Sequence, residues 1–291
     1  MKVESSNMND PRINQIVEQY DTTQGLQFYQ TVMGDGGFNV HYGLYEQETD
    51  TMQQATDRLI NLLVDQVDSQ GISLDGKTLV DLGSGFGGTA HYLAKNFSCQ
   101  ITCVNISEAQ NKANKKEAEK IGIAKQLDII DADFSDLPDA WTGCFDIIWS
   151  IDSFCYAPDK KQVFDEISRI IKPGGQIVFT DIMSGDYSSA KDLNSFSDRN
   201  AVTELSKVQD YQQLLKTCGF EKIAFTDLTH YLPGNFQRMI NQIDSHRNQL
   251  VQKGVAEQYL DDFRKSLVDR IKQAEKGIFS WGCFTAQRPY T

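Results

Sequence analysis

Positive charge is scarce in this chain of 291 residues: 28 Lys and Arg stand against 40 Asp and Glu, a formal net charge of −12. A nucleic-acid partner demands a surplus of cations to neutralise phosphates, so the balance argues against it, and equally against an anionic membrane surface. Long apolar runs are missing as well. None approaches the ~18 residues that cross a bilayer, and the polar opening from Met1 to Asp10 does not read as a secretory leader. Cysteine is sparse and unpaired in pattern: the six residues include no CxxC, and the four His show no ligand spacing with them. Free thiols in a reducing cytoplasm are therefore expected, with no metal. Internal repeats and low-complexity linkers are absent too. What is present, 40% hydrophobic and 10% aromatic residues, suffices for a sizeable core.

The pattern along the chain is helical at first. Ile13, Ile16, Val17 and Tyr20 recur at helical spacing after Pro11, and Leu59, Leu62, Leu63 and Val67 mark a second helix from Met52. Short apolar runs then alternate with helical stretches. Strands are expected at Thr78–Leu82, Gln100–Asn105, Gln126–Ala132, Phe145–Ser150 and Gln176–Asp181. Lys172-Pro-Gly-Gly175 should stop the helix before the last of these. A strand near Phe220–Leu228, two helices over 236–275 and a strand at Ile278–Ala286 complete the count.

This rhythm predicts an α/β fold: a Rossmann-like, doubly wound, mostly parallel seven-stranded sheet. N-terminal helices (1–51) and a helical insertion (230–276) would act as lid over a core of residues 52–229 and 277–291.

The most informative stretch is Leu79-Val-Asp-Leu-Gly-Ser-Gly-Phe-Gly-Gly88, a glycine turn between a strand and a helix. Read as Gly83, Gly85, Gly88 it fits the dinucleotide pattern GxGxxG. Read from Asp81 through Gly83, Ser84 and Gly85 to Gly87 it fits the loop of enzymes that use S-adenosylmethionine (SAM). The ammonium on the amino-acid half of SAM gives a nearby carboxylate a purpose, whereas a pyrophosphate needs only N–H groups and a helix dipole. Asn105 ends the second strand where a ribose-binding group belongs, and Asp133-Phe134 follow the third, where an acid and a ring could hold adenine. These strand ends favour SAM as the cofactor over a nicotinamide.

Further motifs resemble a narrower family. His41-Tyr-Gly-Leu-Tyr45, Asn105-Ile-Ser-Glu-Ala-Gln-Asn111, Trp149-Ser-Ile-Asp-Ser153, Phe179-Thr-Asp-Ile-Met183 and Gly277-Ile-Phe-Ser-Trp-Gly282 look like those of the sarcosine/dimethylglycine N-methyltransferases of glycine betaine synthesis. The likeness runs from about Tyr20 to Trp281. It implies a cytoplasmic monomer or homodimer that methylates a small amine. Asn105, Ile106, Gln110 and Ser150 would join Asp81 and the loop in binding the cofactor. Asp152 and His41 are the catalytic candidates. Tyr29, Tyr42, Tyr156 and Trp281 are candidates to face a cationic nitrogen, Arg238 to meet a carboxylate, and Met183 to line the acceptor site. Phe154-Cys-Tyr156 departs from the His expected in such enzymes. A phosphobase or natural-product acceptor therefore stays open, and so, more remotely, does an NAD-dependent oxidoreductase.

Overall fold

The computed structural model describes residues 21–189, 191–193, 196–197, 202 and 204–290. The helix expected after Pro11 lies outside them. One sheet organises the chain: β1 (Thr78–Leu82), β2 (Gln100–Asn105), β3 (Leu127–Asp131), β4 (Phe145–Ile151), β5 (Ile171–Ser184), β6 (Glu221–Asp227) and β7 (Phe279–Gln287). Their spatial order is β3-β2-β1-β4-β5-β7-β6. The first five run parallel, and β7 lies antiparallel between β5 and β6.

Helices α1 (Thr23–Gly34), α2 (Met52–Ser69), α3 (Gly88–Asn96) and α4 (Glu108–Lys120) precede β3 in the chain. After β4 come α5 (Lys160–Ile170) and α6 (Val208–Thr217), and α7 (Leu232–Gln252) and α8 (Glu257–Glu275) stand between β6 and β7. Alternation along the strands sorts the two faces. Leu79, Ile101, Ile147 and Trp149 join the core under α1–α4, α7 and α8, whereas Val80, Val104, Ile148 and Phe179 join the core under α5 and α6.

Local chemistry sets the ends of the elements. Thr51 and Gln54 form a reciprocal capping box that starts α2, and Ser107 accepts from the Gln110 amide to start α4. Pro233 sits in the first turn of α7, where its missing N–H costs nothing.

The helix before β5 stops at Ile170 as expected, but the start of the strand shifts. Lys172-Pro-Gly-Gly175 does not precede β5 but lies within it: Ile171 pairs with Phe145 and Gln176 with Ile147, so the four residues bulge from the ladder. Proline, with no N–H to offer, is tolerated at such a bulge.

Candidate active site

The carboxyl ends of β1, β2, β4 and β5 open on one cavity, as expected for an open sheet where the strand order reverses beside β1. On one side the turn after β1 supplies Asp81, Gly83, Ser84, Gly85 and Phe86. Gly83 has φ +81°, and a Cβ there would overlap the Ser153 side chain. Gly85, at φ +53°, would point a Cβ into open space, so the backbone here is bare to whatever enters. Asp81 is almost fully buried, and its Oδ2 has no hydrogen-bond partner among the described residues. Burial pushes its carboxyl up to about 7.

Beyond the loop, Asn105, Ile106 and Gln110 line the cavity, with the Asn105 amide donating to Gln110 Oε1 at 3.0 Å. Asp133 and Phe134 close that end; Asp133 Oδ1 accepts from the Ser135 amide at 2.8 Å.

Asp152 follows β4 with φ +50°, a left-handed conformation that costs a non-glycine residue on the order of 1 kcal/mol. Its neighbours repay that strain with three donors. Trp281 Nε1 (2.8 Å) and Thr180 Oγ1 (2.9 Å) donate to Oδ1, and the Tyr42 amide (3.3 Å) to Oδ2. Burial outweighs these donors and lifts the carboxyl to about 6. His41 Nδ1 must donate to the Tyr42 carbonyl at 2.7 Å, since that oxygen only accepts, which leaves the lone pair on Nε2. Nε2 is buried and makes no hydrogen bond among the described residues. Burial lowers this imidazole to about 4, so it is neutral at pH 7. Asn235 of α7 holds the segment in place by bonding Gly43 N and O at 2.8 and 2.9 Å.

Four of the candidate residues do not line the cavity. Ser150 is fully buried, and its hydroxyl donates to the Leu82 carbonyl at 2.7 Å, tying β4 to β1. Met183 packs in the core under α5 and α6, while its neighbour Ile182 lines the cavity, the one-residue alternation of a strand. Arg238 donates to the carbonyls of Gln47 and Glu48 and lies 5.1 Å from the Tyr45 ring centre. It anchors a loop. Trp281 is fully buried and meets the site through its indole N–H to Asp152. Tyr29, Tyr42 and Tyr156 do line the cavity, with His41 and Asp152.

The sequence reading placed a lid over 230–276 but named none of the four residues that line the cavity from above. Phe196, Met239 of α7, and Phe263 and Arg270 of α8 also face the cavity. The signal was present: Phe263, Leu267, Arg270 and Ala274 recur at i, i+4, i+7 and i+11 and are buried together.

The site fits SAM on its own chemistry. A buried carboxylate oxygen with no partner among the described residues suits an ammonium, bare glycine backbone admits close approach, and Asn105 and Gln110 offer amides to hydroxyls. Fold and site together define a SAM-dependent methyltransferase, and the antiparallel β7 beside β5 sets the sheet apart from that of the nicotinamide alternative.

The chain's relatives agree. Residues 80–179 match the model of a methyltransferase domain family. A sarcosine/dimethylglycine N-methyltransferase from Halorhodospira halochloris is 30% identical over 276 residues, covering 95% of this chain and 96% of that protein. A glycine/sarcosine/dimethylglycine N-methyltransferase from Actinopolyspora halophila is 32% identical over 268 residues, 92% of this chain, which spans 46% of that longer protein. A crystal structure from Galdieria sulphuraria, assigned provisionally as a sarcosine dimethylglycine methyltransferase, superposes with a TM-score of 0.83 at 25% identity, covering 92% of this chain and 98% of its own. The chain belongs to the sarcosine/dimethylglycine N-methyltransferase family.

Proposed function

We propose that the protein transfers a methyl group from SAM to the nitrogen of sarcosine, dimethylglycine or both, toward glycine betaine. The observation that carries this reading is Asp152: a half-buried carboxylate held by Trp281, Thr180 and Tyr42 beside a neutral His41, in the cavity that the glycine loop also lines.

SAM supplies an electrophilic methyl on a positively charged sulfur. Asp81, Gly83, Ser84 and Gly85 would hold its amino-acid half, Asn105, Ile106 and Gln110 its ribose, and Asp133 and Phe134 its adenine. As the methyl moves, positive charge passes to the acceptor nitrogen. Ionised Asp152 stabilises that charge without reorganising, because its donors fix it before the reaction begins. A sarcosine nitrogen must also lose a proton, and Asp152 Oδ2 or the His41 Nε2 lone pair is positioned to accept it. Tyr29, Tyr42 and Tyr156 present rings to the cationic product, each such contact worth ~0.5–2 kcal/mol. Of the segment 1–51, the described residues 21–51 act with the insertion 230–276 as lid, excluding water from the in-line attack. This reading implies a cytoplasmic enzyme, monomeric or homodimeric.

The test is methyl transfer from labelled SAM to a panel of N-methylated glycines, phosphobases and aromatic hydroxyls, read by mass spectrometry. Labelling of sarcosine or dimethylglycine above all others is the expected result. Transfer to a phosphobase alone would overturn the acceptor assignment and keep the methyltransferase.

A further inference from the structure

Three carboxylates, Asp81, Asp133 and Asp152, line a cavity in a chain of net charge −12. An acceptor that carries its own carboxylate meets repulsion from these groups, and a side-chain cation in the cavity would favour its entry and fix its orientation. Among the described lining residues Arg270 is the single Lys or Arg.

Its setting matches the task. Arg270 is 4% exposed, on the face of α8 that also buries Phe263, Leu267 and Ala274. The guanidinium carbon lies 4.6 Å from the centre of the Phe196 ring and 5.9 Å from that of Phe263. Aromatic faces on a guanidinium restrict its rotation and leave the N–H groups at its edge to do the bonding. Both rings line the same cavity. A guanidinium fork matches a carboxylate with two parallel hydrogen bonds, and burial strengthens each of them. Arg238, the candidate from sequence, is committed to the Gln47 and Glu48 carbonyls.

We propose that Arg270 binds the carboxylate of the acceptor and so selects amino acids over neutral amines. This rests on the N-methylglycine reading above, and it makes α8 the element that sets acceptor class. The nitrogen is served by Asp152, His41 and the tyrosines; the opposite end of the zwitterion is served from the roof.

The test compares N,N-dimethylglycine with N,N-dimethylglycinamide, which keeps the amine and loses the negative charge. Wild type should prefer the acid by on the order of 100-fold in kcat/KM or more, because the amide offers the guanidinium no second charged oxygen to bond. Arg270→Met should raise KM for dimethylglycine on the order of 100-fold and bring the acid-to-amide ratio near unity. Arg270→Lys, charged but without the fork, should fall between. S-adenosylhomocysteine affinity, measured by calorimetry, should stay within about twofold in both variants, which separates the effect from misfolding. Equal use of acid and amide by wild type overturns the proposal without any variant. So does an unchanged KM in Arg270→Met. If wild type methylates amines but no N-methylated glycine, the acceptor reading itself falls, and Arg270's role with it. Turnover on dimethylglycine without acid–amide discrimination removes Arg270 alone.

Discussion

Replacing Trp281 by Phe removes one hydrogen bond and leaves an aromatic ring in place. The indole N–H donates to Asp152 Oδ1 at 2.8 Å, sharing that oxygen with Thr180, while Oδ2 keeps the Tyr42 amide. A hydrogen bond to a charged group contributes ~1.5–3 kcal/mol, and it favours the ionised carboxylate over the neutral acid. At 1.36 kcal/mol per unit, its loss raises the Asp152 pKa by about 1–2 units. Burial has already lifted that carboxyl to about 6 in the intact site.

The ionised form is the active one, so the rate falls as pH drops through the pKa, and the variant should show that fall between about 7 and 8. At pH 7 the ionised fraction drops from about nine-tenths to between one-half and one-tenth, a loss of roughly 2–10-fold. At pH 9 the two enzymes should agree within about twofold. The assay is kcat/KM for dimethylglycine from pH 5 to 9.5, with S-adenosylhomocysteine binding as control. An acid limb that stays where it was would refute the hydrogen-bond argument. A loss equal at every pH would show that Trp281 acts only by packing.

Other predictions concern the cofactor side and the base. Asp152→Asn keeps the shape and removes the charge, so kcat should fall on the order of 10²–10³-fold with cofactor affinity retained; single-turnover kinetics measure it. Asp81→Asn should weaken S-adenosylhomocysteine binding about 10–100-fold by calorimetry. In the parent protein the same affinity should decline as pH falls through about 7, where the Asp81 carboxyl takes up its proton. Because burial raises Asp81 above its unfolded pKa, ligand-free stability from this group is full below about 4 and lost as pH rises through about 7. Asp81→Asn should therefore raise the melting temperature of the ligand-free protein at pH 8, by about 2–4 kcal/mol of stability at most, read by calorimetric melting. Gly83→Ala forces a Cβ against Ser153 at φ +81°, and a cost of roughly 1–3 kcal/mol together with lost cofactor binding is expected in thermal-shift titration.

The parallel strands at the centre of the sheet were legible because their cores are short apolar runs bounded by turn residues. β1, for one, reads Thr78–Leu82 in both sequence and structure. The bulge at 172–175 was not legible: proline and paired glycines carry the same local signature at a turn and at a bulge, and only pairing with Phe145 and Ile147 distinguishes them. Ser150 and Met183 failed for a shared reason. Their segments were read correctly, but a side chain one residue out of phase with the cavity points elsewhere. The confusion of Arg238 with Arg270 has a different origin. Both sit among polar neighbours on helices, and burial of Arg270 depends on how α8 lies against Phe196, a relation that spans 74 positions of chain (270 − 196 = 74).

The insertion of α7 and α8 between β6 and β7 divides labour along the chain. The groups proposed to hold the methyl donor lie between Asp81 and Phe134, whereas Met239, Phe263 and Arg270 enter from a single stretch between two strands. On the reading above, a change within that stretch would alter the acceptor end of the cavity and leave the donor end as it is. The limit on such change is Trp281, which begins the return to the sheet and holds Asp152 by its indole N–H. A lineage that remodels the roof must keep that indole in register, or the carboxylate at the floor loosens with every change above it.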